Sequence, residues 1–151
     1  MPFNEQETAR TQARYQRIAP LYDAMEVLAE RRYADWRPQL WSMIKGPKVL
    51  EVVATFVFCS VPDPILGLDE IARVLKPNGR LLLLEHVRSA NAVLGTLMDI
   101  LDPITVRLMG PHINRRTVEN VQRSWLQLEK VDAMGLGDIF KLIVARNSGL
   151  R

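Results

Sequence analysis

The 151-residue chain contains a single cysteine, Cys59, and only two histidines, His86 and His112. One cysteine excludes a disulfide framework within the chain, and neither a Cys-x-x-Cys pair nor a zinc-type His spacing is present, so no metal site is expected. No apolar run reaches the length of a membrane-spanning helix. Glu5, Glu7, Arg10 and Arg14 leave no apolar stretch at the N-terminus, which argues against a signal peptide. No recognition motif and no interleaving of aromatic with basic residues speaks for nucleic acid. Repeats and low-complexity tracts are also missing. No glycine occurs between Gly46 and Gly67. These absences leave a cytoplasmic domain, or one peripheral at a membrane surface.

What is present is an ordinary globular composition, 48% hydrophobic and 25% charged, with a net charge of +3. Arg10, Arg14, Arg17, Arg31, Arg32, Arg115 and Arg116 are spread along the chain. They read as solvated helix faces or as a weak attraction to anionic surfaces. Asn4 to Arg17 is polar and helix-permissive, and Pro20 breaks the pattern. Asp23 to Ile44 has helical apolar spacing, interrupted at Pro38, and Gly46-Pro47 marks a turn. Lys48 to Val61, KVLEVVATFVFCSV, predicts a long strand buried on both faces, or two strands fused end to end. Asp63-Pro64 has the form of a helix start, with Ile65, Leu68, Ile71, Ala72 and Leu75 on one face. Lys76 to Gly79 stops that helix, and Arg80 to Val87 predicts an internal parallel strand, completing a βαβ unit. Ala92 to Met109 predicts a helix broken at Pro103. Asn114 predicts the cap of a further helix to about Ser124. Trp125–Ala133 and Asp138–Arg146 predict an antiparallel hairpin.

Several of these pieces resemble class I S-adenosylmethionine (SAM)-dependent methyltransferases of the ubiquinone/menaquinone-biosynthesis kind. They are similar also to bacterial phospholipid and thiol methyltransferases. RYQRIAPLYD, from Arg14 to Asp23, resembles the family's N-terminal cap, and KVLEV, from Lys48 to Val52, its first sheet strand. Val53 to Val87 resembles its fourth strand, the helix after it and its fifth strand. The departure is as informative as the match. In the family a glycine-rich turn follows the first strand and lets the backbone approach SAM. Here Glu51-Val52 runs straight into Val53-Ala54-Thr55, so about two βα repeats of about 30 residues each are expected to be missing.

The resemblance implies an α/β fold: a shortened Rossmann-like class I methyltransferase sheet, with a helical cap over residues 1–47 and a βαβ core over 48–91. A helical insert over 92–124 and a C-terminal hairpin over 125–151 complete the single domain. It implies SAM as the family's cofactor, with Glu51, Cys59, Ser60 and Tyr22 at its residual positions. His86 would be a general base, and Glu85, Leu97 and Leu101 would face a small lipophilic or lipid acceptor. Each residue has a plainer alternative. Glu51 can be a polar residue in a fused strand, Cys59 a buried structural thiol, His86 a hydrogen-bonded strand end, and the Leu94–Met109 stretch core packing or a membrane contact. Without the glycine turn, this chain is not expected to bind SAM alone. The rival expectation is a non-catalytic module that pairs as a homodimer through the exposed edge Val49–Val57.

Overall fold

The computed structural model describes residues 6, 9–10, 12–19, 36, 51–135 and 138–149. Tyr22, Asp23, the helical reading of residues 23–44 apart from Trp36, and the Lys48–Leu50 start of the predicted strand lie outside them. Residues 9–10 and 12–19 are helical. The elements that follow are β1 (Glu51–Thr55), α1 (Pro64–Val74), β2 (Arg80–His86), α2 (Ala92–Leu108), α3 (Thr117–Arg123), β3 (Leu126–Met134) and β4 (Phe140–Asn147). They form one mixed sheet in the order β1-β2-β4-β3. β1 runs parallel to β2, whereas β4 is antiparallel to both β2 and β3.

The four leucines Leu81–Leu84 explain why β2 is central. Leu81 and Leu83 face a cluster with Phe58, Leu68, Ala72, Leu75, Val121 and Ile143. Leu82 and Leu84 point the other way, to Leu142 and Val144, where Trp36, Val53 and Phe56 cover them. With side chains alternating across the pleat, an unbroken apolar run is what a strand covered on both faces requires. α1 begins as its sequence indicates. Asp63 accepts the backbone N–H of Leu66 at 3.0 Å, and Pro64 occupies the first turn. The predicted hairpin is also present, with an irregularity in β3 between Leu128 and Lys130.

Three expectations need correction. The strand predicted over Lys48–Val61 ends at Thr55. Phe56 turns to φ 55°, in the left-handed region, and Val57–Ser60 form a turn whose Phe58 and Cys59 are buried. The apolar run continues past the strand because the turn itself enters the core. β1 pairs in parallel with β2, the position expected of the fourth strand beside the fifth, so one strand holds the matches to both the first and the fourth. Pro103 does not break α2, which runs through it. Gly95, Met98 and Asp102, on one side of the helix, are buried and seat both halves against the protein. Asn114 does not cap α3. Arg116 holds that position without a side-chain cap, while Asn114 donates to Asp99 at 3.1 Å.

Candidate functional site

Parallel strands place ligands beyond their C-terminal ends. Here those ends are Thr55 of β1 and His86 of β2, with the Phe56–Ser60 turn between them. Glu85, fully buried, reaches into this turn, and its Oε1 accepts the N–H groups of Val57 at 2.8 Å and Phe58 at 3.0 Å. These bonds hold the backbone just after Phe56, whose left-handed conformation costs a non-glycine residue about 1–2 kcal/mol. Burial raises the Glu85 carboxyl to about pKa 7, against the opposing pull of the backbone amides of Phe58, Val57 and Cys59. Its other oxygen, Oε2, is buried with no hydrogen-bonding partner, which also favours the protonated form.

Cys59 lies in the same turn. Its thiol is 3.3 Å from the Phe56 carbonyl and 3.5 Å from Ser60 Oγ. Burial pushes the thiol up, with a further upward push from Glu85, so the reactive thiolate is disfavoured. Ser60 Oγ bonds to the Tyr15 hydroxyl, tying the turn to the helical segment 12–19.

His86 ends β2 with its ring stacked on Phe56, centroids 6.4 Å apart. Its Nε2 lies 3.0 Å from the carbonyl of His112. A carbonyl can only accept, so Nε2 carries the proton, and in the neutral ring Nδ1 keeps its lone pair. Burial lowers the pKa, opposed by the His112 carbonyl and by the charge of Asp102, so the neutral ring is favoured. His112 is a hub for three elements. Its N–H donates to the Cys59 carbonyl at 2.9 Å, and its Nδ1 lies 2.8 Å from Asp102 of α2. The other Asp102 oxygen accepts the N–H of Ile113 at 2.8 Å.

The structure thus brings Cys59, Ser60, Glu85 and His86 together. Glu51 is elsewhere, at the opposite end of β1, where its Oε1 accepts from Arg80 Nε at 2.8 Å. Leu97 and Leu101 lie on the outward face of α2 and are exposed. Sequence reasoning passed over Asp102, read Arg115 as a solvated arginine and gave His112 no role. Arg115 donates to the Val61 carbonyl at 2.7 Å. A signal for Asp102 existed, since it is a carboxylate in an apolar helical run beside a proline. Among the described residues no group of three or more His, Cys, Asp or Glu is placed to hold a metal ion.

Comparison with known proteins agrees with this architecture. Residues 51–83 match the family model described as a methyltransferase domain. The chain is 40% identical over 83 residues to the rat (Rattus norvegicus) thiol S-methyltransferase TMT1B, covering 52% of this chain and 34% of that protein. It is 27% identical over 100 residues to the mitochondrial methyltransferase OMS1 of Saccharomyces cerevisiae, covering 66% of this chain and 21% of that protein. The chain therefore spans about a third or less of these curated relatives. In fold it is similar to LepI, solved in complex with SAM, with a TM-score of 0.51 at 14% identity, over 69% of this chain and 27% of that one. The matched strand, helix and strand are thus similar to part of a methyltransferase domain, and the sheet they join has the Rossmann-like fold of class I methyltransferases.

Proposed function

We propose that this chain is a methyltransferase-derived domain that keeps the acceptor side of the site and does not bind SAM on its own. The observation that carries this reading is the closed end of β1. The amides of Val57 and Phe58, which follow the strand, are taken by Glu85. β-Branched Val52, Val53 and Thr55 stand where close backbone approach by a ligand calls for glycine. The carboxylates near the site are committed, Glu85 to the turn and Asp102 to His112 and Ile113, so neither serves a ribose. The described residues therefore do not fit SAM. The missing segment is the family's glycine turn with the strands after it. Losing close approach and one charge-assisted hydrogen bond weakens a micromolar site by about 10²–10⁴.

In full-length relatives the reaction is methyl transfer to a small lipophilic or lipid acceptor. The name of the rat relative makes a small thiol the acceptor class to try first. Of the acceptor-facing candidates, Glu85 is spent on the turn, Leu97 and Leu101 offer an apolar surface on the outer face of α2, and His86, neutral with its Nδ1 lone pair, is the candidate proton acceptor. Leu97 also borders a shallow, open depression with Ser89, Asn91, Val93, Leu94 and Asp138. Titration calorimetry of the whole chain with SAM is expected to give no binding heat, and grafting a relative's segment between Val52 and Val53 is expected to restore it. Micromolar binding by the unmodified chain would overturn the reading.

The second reading, a homodimerising module, is favoured by one observation. β1 is an edge strand of the described sheet. Unpaired edges invite pairing with another chain. Light scattering that finds a monomer at tens of micromolar, roughly where such edges associate, would remove it.

A further inference from the structure

α2 is seated the wrong way round for a helix of a globular core. Val93, Leu97, Ile100, Leu101, Ile104 and Leu108 are all exposed, Val93 at 81%, Ile100 at 65% and Leu108 at 63%. At 3.6 residues per turn they fall within an arc of about 100°, a continuous stripe about 22 Å long. The opposite side faces the protein and is pinned by polar contacts. Asp102 bonds His112 and Ile113, Arg88 Nη2 reaches Asp99 at 2.9 Å, and Ser89 N–H lies 3.4 Å from Met98 Sδ. A Cβ at Gly95 would lie 2.7 Å from the Ser89 carbonyl oxygen, so only glycine allows this approach. The stripe cannot rotate inward without breaking these contacts.

The surroundings of the stripe identify what covers it. Arg107 flanks it on α2. At the end of the helix, Gly110 abuts the helical segment 12–19, where an added Cβ would lie 3.7 Å from Arg14 Cβ. Arg14 and Arg17 belong to that segment, and Arg10 lies four residues before Arg14 in sequence. The described acidic residues nearest the stripe are already committed, Asp99 to Arg88, Asp102 to His112 and Asp138 to Lys141. Among the described residues, the same face of a second copy would therefore offer acids that already have partners. An anionic lipid surface answers both features, with acyl chains for the stripe and headgroups for the cations. No helix among the described residues is long and apolar enough to cross a membrane, so α2 would lie in the interface plane.

We infer that this protein docks on anionic lipid bilayers through the Val93–Leu108 stripe of α2, with Arg107 and the arginines of the N-terminal helical segment that meets Gly110 supplying the cations. This stands independently of whether the chain binds SAM. The experiment is co-sedimentation of the whole chain with phosphatidylcholine vesicles, with and without roughly one-third phosphatidylserine. Wild type is expected to bind the anionic vesicles at least about tenfold more tightly than the neutral ones. Leu97→Asp with Ile104→Asp is expected to lower that binding by about tenfold or more with an unchanged melting temperature. Leu97→Ser with Ile104→Ser gives a milder version of the same test. Arg10→Glu with Arg17→Glu is expected to erase the preference for anionic lipid. Three results would overturn the proposal: no vesicle binding by wild type, full binding by folded stripe variants, or equal affinity for neutral and anionic vesicles. A wild-type dimer that the stripe variants dissociate, with no vesicle binding, would assign the face to a second copy instead.

Discussion

α1 and α2 are both apolar helices, yet they turn opposite kinds of face to the protein. α1 turns Leu68 and Ala72 inward, buried against Leu81 and Leu83, and leaves Glu70 and Arg73 to pair in solvent. α2 turns Gly95, Met98 and Asp102 inward and its larger aliphatic residues outward. Apolar content alone therefore does not decide seating. α1 is held by area removed from water, whereas α2 is held by a carboxylate, an ion pair and a close backbone approach.

The comparison can be broken most sharply in α1. Leu68 is fully buried in the larger core cluster. Leu68→Ala is expected to cost about 2–5 kcal/mol, measured by urea denaturation. A loss below about 1 kcal/mol would mean that α1 is no better anchored than a surface helix.

A second effect reaches α1 through the turn that leads into it. Glu85 has its carboxyl raised from 4.5 to about 7 in the folded protein. Folding therefore takes up a proton between these values. The associated stability is fully present below pH 4.5 and is lost as pH rises through about 7. Glu85→Gln is expected to flatten that slope and to stabilise the protein at pH 8 by up to roughly 3 kcal/mol. Unfolding curves between pH 4.5 and 8 with the same slope in both proteins would place the titration elsewhere.

For α2 the sensitive residue is polar. Asp102→Ala strands the Ile113 N–H and His112 Nδ1, and is expected to cost about 1–3 kcal/mol. The loss should appear as faster amide exchange in α2, with α1 left protected. The smallest effect is expected on the outer face. Leu97→Asp should change stability by less than about 0.5 kcal/mol, and a cooperative loss of structure would show that the stripe is packed in solution.

The same contrast explains how much was legible in the sequence. Asp63-Pro64 with Ile65, Leu68 and Ala72 marked α1 because capping and burial are local and periodic. Leu81–Leu84 marked β2 for the same reason, and the short Gly135-Leu136-Gly137 sequence between two strand-like runs marked the hairpin. The turn after Thr55 was hidden, since Phe58 and Cys59 are as apolar as any strand residue. What bends the chain there is Glu85, 27 residues from Phe58 in sequence. The candidate site was legible where it lies at strand ends, at Cys59, Ser60, Glu85 and His86. His112 and Asp102 were not, because their roles depend on α2 lying across the strand ends, which no period reveals. Glu51 read as a site residue because one strand carries two matches.

The strand order also bears on synthesis. β4 is the last strand in the described chain, yet it lies between β2 and β3. As the chain emerges from a ribosome, Leu81–Leu84 are exposed along one edge until Phe140–Asn147 arrive to pair with them. The sheet therefore cannot close progressively from its N-terminal side, and a nascent chain stopped at Gly135 presents β2 as a bare hydrophobic edge. Nascent chains arrested before and after β4 should differ sharply in protease resistance around β2. Equal resistance would show that β1, α1 and β2 close without their last neighbour. The order in which this sheet is threaded thus leaves β2 waiting for its inner neighbour until the last described strand has been made.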